Sequence, residues 1–96
     1  MNEQGFEVYL KNDPAITSSG AVAKRMREAA KAEGILGKSL DVVVSDDDMM
    51  YESLQELQMH ENPAHNPMQN AVRKYYKFIN EKEFPQKRYY HSAKHP

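Results

Sequence analysis

GILGKSLDVVVSDDDMM, residues 34–50, holds the segment that decides the fold. Read alone, LDVVV at 40–44 passes for a buried β-strand, because three consecutive β-branched residues suit a pleated, two-sided interior. A strand needs a partner for its ladder of N–H and C=O groups, and no other part of the chain shows apolar/polar alternation. The segment is therefore expected to be an extended or single-turn linker whose apolar side chains plug a helical core.

Working outward, Ser45 and Asp48 have the spacing of a capping box, and acids in a first helical turn are favoured by the macrodipole. A third helix then follows, with Met50, Leu54 and Leu57 on one face. The aspartates 46–48 read as structural. At about 100° per residue they diverge around a helix and do not converge on one ion, and no glycine follows to form a calcium loop.

Upstream, Phe6, Tyr9 and Leu10 mark a short first helix that Asp13-Pro14 stops. Thr17, Ser18 and Ser19 offer caps for a second helix carrying Val22, Met26, Ala29 and Ala30, with Gly34 as the expected stop. Its outer face bears Lys24, Arg25, Arg27, Glu28 and Lys31.

Downstream, HENPAHNP (60–67) is a loop ending in an Asn66 cap and Pro67 at the first helical position. The last helix has Met68, Ala71, Val72, Tyr75, Phe78 and Ile79 as its apolar stripe, with Arg73, Lys74 and Lys77 off it. It is expected to end before Pro85. The remainder, residues 86–96, is read as a flexible basic tail with nothing to pack.

These elements predict an all-α fold, a compact bundle of four or five short helices in a single domain spanning 1–85. No apolar run approaches the ~20 residues that cross a bilayer, and the acidic start MNEQGFEVYLKND does not look like a secretory signal. A cytoplasmic location is the expectation. Without cysteine, neither disulfides nor thiolate zinc sites are available.

Charge is segregated along the chain. The net charge is −1, yet residues 46–61 hold six acids and no base, and 62–96 hold seven bases against two acids. Such asymmetry suggests an oriented surface. His60, His65, His91 and His95 fall in the loop and the tail, and the serines near helix ends read as caps, so neither a metal nor a nucleophilic site is expected. No cofactor or small-molecule substrate is implied.

FEVYLKN (6–12), ITSSGAVAKRMREAA (16–30), GILGKSLDVVVSDDDMMYESLQEL (34–57) and QNAVRKYYKFINEKEFP (69–85) together resemble the SAM-like core-binding domain of phage integrases and other tyrosine recombinases. The likeness is closer to small stand-alone or nuclease-appended versions in phage and restriction-related proteins. It implies a helical bundle that clamps one side of duplex DNA, with Lys24, Arg25, Arg27, Lys31, Arg73, Lys74 and Lys77 facing phosphates. The recombinase's catalytic domain has no counterpart here, so the expectation is a non-enzymatic module, DNA-binding or accessory to a phage or mobile-element DNA enzyme. The alternative is a protein-interaction module. In that reading Asp46, Asp47, Asp48, Met49 and Tyr51 meet a basic partner, or two copies pair as a homodimer.

Overall fold

The computed structural model describes residues 1–86 and 89–90. They form an all-α bundle: α1 (Glu3–Lys11), α2 (Ser19–Leu36), α3 (Leu40–Val43), α4 (Asp47–Gln58) and α5 (Pro67–Asn80). Among the described residues there is no β-strand, and no helix is long and apolar enough to cross a membrane.

LDVVV is the single-turn alternative. It winds into α3, where Leu40 and Val43 point inward, and Val44 follows them into the core. One turn suffices because Ser39 caps it, its side chain accepting from the Asp41 N–H at 3.1 Å. Val42 stays exposed, as three successive valines on a helical turn cannot share one side.

The helix ends correct three expectations. Gly34 does not stop α2, which runs two residues further to Leu36 and closes on Gly37, whose φ of 67° is the left-handed conformation that glycine adopts at least cost. Leu36 thereby joins the core alongside Val22, Ala29 and Ala32, whereas Ala30 is exposed. Ser45 is not the cap of α4. Asp46 is, its carboxylate accepting from the Met49 N–H at 3.0 Å, while the Ser45 hydroxyl donates back to the Val42 carbonyl at 2.6 Å.

Asn66 makes no side-chain cap on α5. Glu61 reaches across the loop instead, its carboxylate accepting from the backbone N–H groups of Met68 and Gln69. A carboxylate outbids an amide oxygen here because a full negative charge meets the positive end of the helix.

α5 is the hub, lying chiefly against α2 and touching α1, α3 and α4 as well. Met68, Ala71, Val72 and Tyr75 are buried as expected, but Ile79 is 43% exposed and Tyr76 takes an inward place. The Tyr75 hydroxyl donates to Asp41 and accepts from the Asn2 N–H at 2.8 Å. Asp41 also pairs with the Met1 ammonium at 3.2 Å, which reaches Glu33 at 3.1 Å. Tyr75 thus ties α1, α3 and α5 together, and its ring meets Phe6 edge-on at 5.0 Å.

The expectation that nothing packs beyond Pro85 is corrected at Tyr90. Its ring stacks on Tyr51 at 5.1 Å and lies 5.1 Å from Phe84, and its hydroxyl donates to Asp48. Residues 87–88 and 91–96 of the expected basic tail lie outside the described residues.

Two glycines test the α2 boundary. Gly34 is helical with nothing near an added Cβ, so Gly34→Ala should stabilise by about 0.5–1 kcal/mol, whereas Gly37→Ala at φ 67° should destabilise by about 1 kcal/mol. Urea midpoints decide both. Tyr75→Phe strips a partner from the Asn2 N–H and from Asp41, and should cost about 1–3 kcal/mol.

The pH profile follows from the same groups. Hydrogen bonding from Lys74 holds Asp13 below its ordinary 3.8, and the Tyr75 hydroxyl does the same for Asp41, so these two contributions are present above about pH 4 and fade as acid protonates the folded carboxylates. Burial, then Asp41 and Asp47, push Tyr75 and Tyr76 up to about 12, so their contributions hold below pH 10 and disappear as pH rises towards 12. Chemical-denaturation midpoints should therefore fall on both sides of a neutral plateau, with Tyr75→Phe and Tyr76→Phe flattening the alkaline side.

Candidate nucleic-acid interface between α2 and α5

On α5, one side of the helix is consumed by the core through Met68, Ala71, Val72, Tyr75 and Tyr76. The neighbouring positions at spacings of three and four, Asn70, Arg73, Lys74 and Lys77, form a second stripe. Where α2 packs against α5, this stripe meets Arg25, and together with Glu83, Phe84 and Gln86 they line an open groove of about 490 Å³. Arg25 and Asn70 also line a smaller cleft of about 180 Å³ with Lys24, Glu28, His65 and Pro67, so the two recesses run together along the α2–α5 seam.

Five of the seven basic residues expected to face phosphates line this seam: Lys24, Arg25, Arg73, Lys74 and Lys77. Arg27 and Lys31 do not. Arg27 stands about 200° from Arg25 around the helix at ~100° per residue, and both Arg27 and Lys31 are exposed outside the groove. The outer face of α2 is therefore split, with only part of its positive charge turned to α5.

The groove cations are held in different ways. The Lys74 ammonium bonds to Asp13, which is itself fixed by the Ala15 N–H at 2.9 Å. Lys77 pairs with Glu83 at 3.6 Å. Arg73 is half-buried, its guanidinium 5.8 Å from the Phe84 ring centre while donating to the carbonyls of Phe84 and Pro85 at 3.0 and 3.3 Å. Burial pushes this guanidinium below its ordinary value, and Glu83 opposes the shift. Among the described residues Arg25 holds no ion pair. In the smaller cleft, Glu28 Oε2 is buried without a hydrogen-bond partner among the described residues.

The acidic cluster is arranged differently from the interaction patch expected of it. Asp46 caps α4, Asp47 accepts from the Tyr76 hydroxyl at 2.8 Å, and Asp48 accepts from the Tyr90 hydroxyl. Met49 and Tyr51 are half-buried, not the exposed pair the interaction reading required, and Tyr51 lies beneath Tyr90. The three carboxylates point to three separate structural tasks.

Asn70 and Glu83 escaped the sequence reading. Asn70 could have been found from its spacing of three, four and seven residues to Arg73, Lys74 and Lys77. Glu83 could not, because it reaches Lys77 only after the chain turns at Glu81, a non-glycine residue with a φ of 60°.

Comparison with protein-family models, curated proteins and solved structures finds no match to this chain.

Proposed function

We propose that the protein is a non-catalytic helical module that binds nucleic acid through backbone phosphates laid along the α2–α5 seam, as a DNA-binding unit or an accessory to a phage or mobile-element DNA enzyme. The observation that carries this reading is the convergence of Arg25 from one helix with Arg73, Lys74 and Lys77 from another on a single open groove. Cations on two rigid helices define a track, which suits a charged backbone better than a point-like anion. The resemblance to the SAM-like core-binding domain supports the same reading.

The existing ion pairs do not exclude phosphate. Lys77 and Glu83 are 41% and 80% exposed, and pairs of that kind contribute about 0–1 kcal/mol, so a phosphate can replace the carboxylate with little loss. Contacts to phosphates carry no sequence information of their own, so the cations of the groove are expected to bind duplexes irrespective of sequence. The acidic-helix alternative draws less support, since Asp46, Asp47 and Asp48 are each engaged within the bundle.

Fluorescence anisotropy of a labelled random duplex tests the proposal. Binding should be measurable at ~50 mM salt and weaken with a log–log slope of about −4 if four phosphates are contacted. Arg25→Ala combined with Lys77→Ala should weaken binding and flatten the slope by about 2, while Arg27→Ala with Lys31→Ala leaves both close to wild type. No binding at ~50 mM salt, or equal losses from both double variants, would defeat the assignment.

A further inference from the structure

We infer that the segment Glu83–Gln86 is a built-in occupant of the basic groove, whose polar contacts with the groove cations an incoming nucleic acid must displace. The inference rests on the groove being a phosphate track, and it adds a regulation of that site.

Three observations carry it. The segment lines the groove through Glu83, Phe84 and Gln86. Its polar groups already hold two of the groove's four cations: Glu83 takes Lys77 at 3.6 Å, and the Phe84 and Pro85 carbonyls take the Arg73 guanidinium at 3.0 and 3.3 Å. A carboxylate and two carbonyl oxygens are the acceptor chemistry a phosphate backbone would offer to the same donors.

The segment is also anchored from its far side. Phe84 is buried edge-on against Tyr76 at 5.1 Å, and Tyr90 is fixed to α4 by its hydrogen bond to Asp48 and its stacking on Tyr51. The occupant of the basic groove is thus tied to the acidic helix. Whatever loosens Tyr90 from α4 loosens one of the supports of Glu83–Gln86.

The arrangement has a specific energetic consequence. Glu83 is exposed and its pairing weak, so its departure is easy, whereas Phe84 is buried and stays. Displacement then means a swing of the Glu83 carboxylate and a loosening of the Arg73 contacts about a fixed Phe84, without unfolding of the bundle.

The test compares duplex affinity and salt slope for the full chain and three variants at ~50 mM salt. Glu83→Gln should bind about two- to fivefold more tightly with a steeper slope, because Lys77 is released to a phosphate. Glu81→Gln makes the same change in net charge two residues away, outside the groove, and should stay within error of wild type. Tyr90→Phe keeps the ring but loses the bond to Asp48, and should shift affinity in the same direction as Glu83→Gln by a smaller factor.

Equal gains from Glu83→Gln and Glu81→Gln would reduce the effect to bulk charge and overturn the inference, as would no gain from Glu83→Gln in a wild type that binds. If no chain binds duplex, the phosphate track itself fails and the occupant falls with it.

Discussion

Tyr75 and Tyr76 stand side by side on α5 with both rings buried, and each carries a hydroxyl that must find a partner inside the bundle. The partners come from opposite directions. Asp41 on α3 serves Tyr75, and Asp47 at the start of α4 serves Tyr76. Because adjacent residues point ~100° apart around a helix, satisfying both phenols fixes the rotation of α5 and the positions of α3 and α4 against it. Tyr90 repeats the pattern, its hydroxyl donating to Asp48 on α4. Much of the negative charge between residues 41 and 48 is therefore explained by buried phenols and a helix cap. Nothing about an external cation is required.

That rotation has a consequence on the other side of α5. With Tyr75 and Tyr76 locked inward, Arg73, Lys74 and Lys77 are turned to the other side of α5, where Arg25 of α2 lines one groove with them. The groove is a by-product of core geometry, and the basic residues occupy it because they lie on the side of α5 opposite the buried stripe. Lys77 and Arg73 remain compensated by Glu83 and by backbone carbonyls, so the local potential is lower than a count of basic side chains suggests.

Legibility in the sequence divides along the range of the interactions. The helical class, the burial of Met50, Leu54, Leu57 and Val72, and the exclusion of a strand at LDVVV were readable because each depends on spacing within one segment or on the lack of a β partner. The caps were not. Gly34 and Gly37 are equally good stops locally, and Gly37 prevails because extending to Leu36 buries one more leucine in the core. Ser45 and Asp46 compete for one cap, and Asn66 loses its cap to Glu61 five residues earlier, a choice decided by how the loop folds back.

The site was readable in its parts and not in its assembly. Lys24, Arg25, Arg73, Lys74 and Lys77 were identifiable from the sequence, but which of them share a surface depends on how α2 lies against α5. Arg25 lines the seam, and Arg27, about 200° away around α2, is left off it. A chain of net charge −1 can still carry such a track, because screening over ~8–10 Å at physiological salt makes a phosphate respond to the charges lining the groove and scarcely to the total. Affinity at this surface is then governed less by the number of lysines and arginines than by how readily their internal partners leave, and among these the exposed Glu83 is held more weakly than the Arg73 contacts that bridge α5 to the buried Phe84.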